Sequence, residues 1–196
     1  MIVIVDTGCA NLTSVKFALE RLDAKPVITA DPKIISAAER VFLPGVGSAQ
    51  FAMAGLEERD LVETIRGLTQ PVLGICLGMQ MLLERSEEGN TACLGLIPGE
   101  VSTLDAQGRR LPHMGWNTLT DINESPLFAG IEPGDYFYFV HSYVVEPSNY
   151  TLAQCEYGSA FSASIQKDNF YGVQFHPERS GERGLQVLKN FLEINS

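Results

Sequence analysis

Over the first half of the chain, apolar residues come in short bursts, each followed by a stretch with helical spacing. Ile2-Val3-Ile4-Val5 is apolar at every position, as in a parallel strand covered on both faces. After Asp6-Thr7-Gly8-Cys9-Ala10, Asn11 reads as a helix cap. Val15, Ala18, Leu19 and Leu22 then share one helical face. Residues 26–29 predict a second strand, and Asp31-Pro32 a cap followed by a first-turn proline. Val41-Phe42-Leu43 predicts a third strand, closed by Pro44-Gly45-Val46-Gly47, with helical segments at 48–57 and 60–68. A fourth apolar run opens at Pro71 and passes abruptly into a helical pattern at 77–83.

Beyond Glu84 the rhythm changes. Residues 86–92 are polar and loop-like. Shorter strands follow at 101–103, 117–120, 136–140, 151–155, 162–166 and 170–175, separated by turn pairs such as Pro98-Gly99 and Asp168-Asn169. Ser180 reads as the cap of a last helix with Leu185, Leu188 and Leu192 as its stripe. The pattern predicts an α/β fold: an open, mostly parallel, flavodoxin-like twisted sheet with helices on both faces. Mixed and antiparallel strands extend it in the C-terminal half. No linker, repeat or low-complexity tract interrupts the chain, so one domain over residues 1–196 is the expectation. In such sheets function gathers beyond the C-terminal strand ends. Three loops point there, at 6–11, at 44–47 and at Cys76.

Composition narrows the classes. Fourteen Lys and Arg against 24 Asp and Glu give a formal charge of −10, which disfavours a general nucleic-acid or anionic-membrane surface. The opening apolar run lacks a basic leader and no stretch is long enough to span a bilayer. The four cysteines, Cys9, Cys76, Cys93 and Cys155, form no Cys-x-x-Cys pair, and no histidine stands at metal spacing from one. A cytoplasmic protein with reduced thiols is expected, with no metal and no cofactor.

The chemistry centres on Gly74-Ile75-Cys76-Leu77-Gly78. Glycines at minus two and plus two let backbone pack closely on both sides of a sharp strand-to-helix corner, the logic of a nucleophile elbow. A thiol at a helix start is also favoured as thiolate. An isolated cysteine in an apolar run is more often a small buried hydrophobe; the flanking glycines and a distant His-Pro-Glu reverse those odds. A nucleophilic thiol needs a base, and the base an orienting group. His176 ends an apolar strand, Pro177 biases it towards extended backbone, and Glu178 at i+2 then faces the same way. Taken singly, these are a strand-end histidine and a solvated charge. With Cys76 they make a triad. His141 ends another strand but lacks a nearby carboxylate, so it ranks second as base. His113, in a loop with the single Trp, reads as packing or partner contact. Acyl transfer also needs oxyanion donors. Leu77 N–H is one, and the loop Gly45, Val46 and Gly47 can supply another.

These residues resemble a known family. Gly74-Ile75-Cys76-Leu77-Gly78-Met79-Gln80 with His176-Pro177-Glu178, 100 residues on, is similar to the class I (triad) glutamine amidotransferases. Pro44-Gly45-Val46-Gly47, Pro112-His113-Met114-Gly115-Trp116-Asn117 and Phe139-Val140-His141-Ser142-Tyr143 narrow the resemblance to members that serve a cyclase in histidine biosynthesis. The resemblance covers essentially the whole chain. It implies hydrolysis of glutamine to glutamate and ammonia, with Cys76 as nucleophile, His176 as acid and base, and Glu178 as orienter. It implies that Gln80 contacts substrate, that His141, Ser142 and Tyr143 contact its α-groups, and that the 44–47 strand reorients to complete the oxyanion hole. It further implies a TIM-barrel cyclase subunit as partner, receiving the ammonia, with Asn11, Trp116 and Tyr138 at the interface. Three other readings stay open: a glutaminase of another amidotransferase such as anthranilate synthase, a non-catalytic subunit on this fold, and a cysteine hydrolase of peptides.

Overall fold

The computed structural model describes residues 1–8 and 11–195; the expected role of Cys9 and Ala10 in the first loop lies outside them. Thirteen strands are seen among these residues. A nine-stranded sheet has the order β2 (Val27–Thr29), β1 (Ile2–Val5), β3 (Arg40–Gly45), β4 (Val72–Cys76), β13 (Phe170–Val173), β12 (Ser159–Lys167), β11 (Thr151–Tyr157), β8 (His113–Ile122), β9 (Tyr136–His141). The run from β2 to β13 is parallel and everything from β12 outward is antiparallel.

Period two decides which face each strand residue serves. In β1, Val3 and Val5 join one core cluster and Ile4 the other; in β3, Val41 and Leu43 part from Phe42 in the same way. The first face is covered by α2 (Pro32–Ser36), α3 (Ala49–Glu58), α4 (Val62–Arg66) and α5 (Leu77–Met81). The second is covered by α1 (Leu12–Glu20) through Val15, Ala18 and Leu19, and by α6 (Gly181–Glu193) through Val187, Leu188 and Phe191.

Several details differ from the sequence reading. Residues 86–92 are not a plain loop. They contribute β5 (Arg85–Ser86) and β6 (Thr91–Ala92) to a separate four-stranded sheet with β7 (Glu100–Thr103) and β10 (Tyr143–Val145). Two-residue strands carry too little periodicity to be read. His113 stands in β8, not in a loop, because that strand starts well before residue 117. The last helix buries Val187 and Phe191 more deeply than Leu185 and Leu192, so its inner stripe is rotated. Asp31 caps α2 as expected, accepting from Lys33 N–H at 2.8 Å. Asn11 and Ser180 do not cap their helices through their side chains. Both are spent on the site described below.

The corner between β4 and α5 is held by backbone-to-backbone contact. A methyl group at position 78 would lie 1.7 Å from the Leu43 carbonyl oxygen, and one at position 74 would lie 2.6 Å from the Gly78 carbonyl oxygen. Only hydrogen fits at either place, because what stands opposite is backbone, of β3 against position 78 and of α5 against position 74. Between them Cys76 adopts φ 54° and ψ −110°, a conformation an L-residue keeps only when its surroundings impose it.

Across the β8–β9 ladder His113 pairs with His141. Both rings are buried among Phe139 and Phe161, and their nitrogens meet at 2.9 Å. Burial pushes His113 down to about 4 and His141 down to about 3, so both are neutral in the folded protein.

Gly78→Ala is expected to lower stability by about 3 kcal/mol, read as a fall in Tm of about 6–12 °C. The histidine pair fixes the sign of an acid effect. Unfolded histidines protonate near pH 6.5, whereas the folded pair does so only near pH 4 and 3. Their contribution to stability is therefore whole above about pH 6.5 and is lost as pH falls towards the folded values. Urea unfolding followed from pH 7.5 to pH 5 should show that decline, with a shallower slope in His113→Gln.

Candidate active site

Beyond the C-terminal ends of β3 and β4 lies a cavity of about 470 Å³ whose walls include Asn11, Val46, Gly47, Cys76, Leu77, Gln80, Glu88, His141, Ser142, Tyr143 and His176. Most of the residues singled out from the sequence converge here. Gly45 does not line the cavity. It is the last residue of β3 and is paired with Cys76 across the parallel ladder. The chain turns into the cavity only after it, through Val46 and then Gly47 at φ 93°, a positive value that glycine adopts at little cost. Trp116 and Tyr138 stand apart, on neighbouring strands with their rings edge to face at 6.0 Å.

Cys76 is almost buried. Its sulfur lies 3.8 Å from the Val140 carbonyl oxygen and 3.6 Å from Gln174 Nε2. Leu77, the first residue of α5, follows immediately, and helix-start N–H groups have no acceptor within their own helix.

Glu178 reaches the imidazole by a turn, not by extended backbone. β13 ends at Val173, His176 keeps extended dihedrals, and Pro177–Arg179 form a single 3-10 turn. That turn folds the carboxylate back so that His176 Nδ1–H donates to Glu178 Oε1 at 2.8 Å, both side chains being buried. The same Oε1 accepts from Asn11 Nδ2 at 3.2 Å. Asn11, with φ 80°, thus braces the carboxylate. Its side chain points into the site. His176 Nε2 makes no hydrogen bond among the described residues, and Cys76 is near enough to act on the ring electrostatically. Burial alone would lower the His176 pKa; Cys76 and Glu178 together outweigh that and raise it well above the ordinary histidine value.

The turn is lashed to the margin of the sheet. His176 N–H donates to the Tyr138 carbonyl at 2.9 Å, and Tyr138 N–H donates to Ser180 Oγ at 2.9 Å. Ser180 O–H in turn donates to the His176 carbonyl at 2.6 Å. The hydroxyl expected to cap α6 instead fixes the backbone of the imidazole. His141, the competing base, is committed elsewhere. Its Nδ1–H donates to the Tyr143 carbonyl at 3.0 Å and its Nε2 accepts from His113, so no nitrogen is left to take a proton from Cys76.

Sequence reasoning missed two residues. Glu88 joins the cavity wall and accepts from Ala49 N–H at the start of α3 at 2.7 Å; it sits in the polar stretch whose sequence reads as a loop. Gln174 is fully buried within bonding distance of the sulfur. A polar residue inside an apolar run, between Val173 and Phe175, was the available signal.

Comparison with known proteins agrees with this arrangement. The family model for glutamine amidotransferase class-I matches residues 3–194. The chain is 57% identical to the imidazole glycerol phosphate synthase subunit HisH of Colwellia psychrerythraea, covering 99% of this chain and 93% of that protein. It is 59% identical to the subunit of the same name from Shewanella oneidensis, covering 98% and 96%. Among solved structures, a glutamine amidotransferase superposes with a TM-score of 0.76 at 17% identity, covering 98% of each chain. PurLQS from Thermotoga maritima does so with a TM-score of 0.69 at 21% identity, covering 97% and 96%. At such identities these two speak for the fold. Family model, relatives and fold lead to one conclusion: this chain belongs to the class-I glutamine amidotransferase family.

Proposed function

We propose that this chain is the glutaminase subunit of an imidazole glycerol phosphate synthase, a cytoplasmic enzyme of histidine biosynthesis built on a single amidotransferase domain. The observation that carries the chemistry is the pair Cys76 and His176 on the wall of a cavity sized for a small substrate, with Glu178 buried behind the imidazole. The observation that carries the specific assignment is the high identity to HisH subunits over nearly the whole chain.

In this reading Cys76 passes its proton to His176 Nε2 and its sulfur attacks the side-chain amide carbon of glutamine, forming a C–S bond and a tetrahedral oxyanion. Leu77 N–H is one donor to that oxygen, and a peptide of the Val46–Gly47 turn is the other. His176 gives a proton to the departing nitrogen, which leaves as ammonia, and a thioester remains. His176 then takes a proton from water as its oxygen attacks the thioester, and gives that proton to the sulfur as the C–S bond breaks, so that glutamate leaves and the thiol is restored. Glu178, braced by Asn11, keeps Nδ1 protonated so that Nε2 works on the substrate side. The α-carboxylate and α-ammonium face the strand end at His141, Ser142 and Tyr143, with Gln80 and the Glu88 carboxylate as partners for the positive group.

The partner is a TIM-barrel cyclase subunit that receives the ammonia. Support comes from an apolar surface next to the site: Met114 is 62% exposed, Trp116 55% and Tyr136 59%. Arg179, on the cavity rim, stacks over Tyr138 at 4.9 Å and so spans from the site to that surface.

Cys76→Ala should abolish ammonia release from glutamine in a coupled assay while far-ultraviolet circular dichroism stays unchanged. Retained turnover would end the triad reading. Glu178→Gln should cut kcat by about 10²- to 10⁴-fold. Glutaminase activity of the isolated chain should be low and rise when the co-purified cyclase and its nucleotide ligand are added; equal rates would remove the coupling.

A further inference from the structure

The triad leaves unexplained why a glutamine is buried against the thiol. We infer that Gln174 is a positioning residue for Cys76, its side-chain N–H held on the sulfur by a chain of amide orientations that begins at the Tyr143 carbonyl. A backbone carbonyl only accepts hydrogen bonds. Gln80 must therefore turn its Nε2 to Tyr143, at 3.0 Å. The same nitrogen lies 2.9 Å from Gln174 Oε1, so Gln174 presents oxygen to Gln80 and its NH₂ to Cys76, 3.6 Å away.

The anchor of the chain is itself fixed. Asn117 Nδ2 donates to His113 Nε2 at 3.2 Å, His113 Nδ1–H to His141 Nε2 at 2.9 Å, and His141 Nδ1–H to Tyr143 O at 3.0 Å. Asn117 is oriented in turn, because its Nδ2 also donates to the Glu156 carbonyl and its Oδ1 accepts from Thr118 N–H. Each side-chain nitrogen and oxygen of the chain is thus fixed as donor or acceptor, and the last donor faces the thiol.

Two backbone and side-chain groups thus act on the sulfur in opposite senses. The Val140 carbonyl at 3.8 Å suits S–H, whereas the Gln174 N–H suits S⁻. Gln174 cannot turn its oxygen to the thiolate without breaking its bond to Gln80. It touches the sulfur and does not line the cavity, and its effect is on how readily Cys76 ionises and where the sulfur sits.

This inference rests on Cys76 being the nucleophile, which Cys76→Ala tests by itself. Here the readout is alkylation of Cys76 by iodoacetamide against pH in the full chain without substrate. It is followed at the Cys76 peptide by mass spectrometry, so that Cys9, Cys93 and Cys155 do not contribute. Gln174→Leu should move the midpoint up by about one pH unit and lower kcat about tenfold, with KM within about twofold. Gln174→Glu keeps the shape and an acceptor for Gln80 but sets a carboxylate beside the sulfur, so its midpoint should move further up. Gln174→Met, which removes the N–H without adding charge and should move the midpoint up by about one pH unit, decides the matter if the leucine variant does not fold. An unchanged midpoint in a folded variant, even with reduced kcat, overturns the inference, because a packing role alone lowers turnover without altering thiol ionisation.

Discussion

Everything in the site depends on backbone lying against backbone at one corner. α5 can start immediately after β4 only because positions 74 and 78 carry no side chain, and Gly78 rests on the Leu43 carbonyl of the neighbouring strand. That contact tips the helix over the end of β3 and forces Cys76 to φ 54°. The thiol is thereby lifted clear of the sheet and out of the helix. It becomes the point towards which the β3 turn, the β9 end and the segment after β13 converge. The cost of the strained dihedrals, about 1–3 kcal/mol, is borne by the two cores on either face of the sheet.

Around this corner the polar groups fall into two systems that meet at the sulfur. One is ionisable: His176 and Glu178, with Asn11 behind the carboxylate. The other is neutral and directional, running from Asn117 through the paired histidines and the Gln80 and Gln174 amides. The first moves protons. The second fixes a single orientation for each buried amide and imidazole, and a buried polar network is favourable only when it is satisfied in this way. Its histidines remain neutral because burial holds them so.

The parts of this arrangement that were legible in the amino-acid sequence are those with a local cause. Apolar bursts bounded by glycine, proline and aspartate mark β1, β3 and β4. The glycines about Cys76 mark the elbow, and Glu178 beside His176 marks the orienter. The geometry that joins those last two differs in one respect: His176 is extended before Pro177 as expected, but the proline also starts a 3-10 turn, and that turn rather than an extended i to i+2 alternation brings the carboxylate back. Asn11 and Ser180 read as caps because both stand just before helices, yet each hydrogen-bonds across the fold to a partner far away in sequence or on another strand. Pairing of that kind leaves no periodic trace. Nor do the two-residue strands of the second sheet.

The bonds among Tyr138, His176 and Ser180 make the outer strand of the sheet and the imidazole-bearing turn one piece of backbone. An outermost strand usually exposes a ladder of free amides; here the turn closes part of it. A lineage of this fold therefore has little freedom to lengthen or shorten the connection from β13 to α6, although surface connections elsewhere tolerate such changes. One added residue there would unpair the sheet's margin and misplace the base together. Variation in length is open instead to the turns at the far end of the antiparallel strands, away from the cavity.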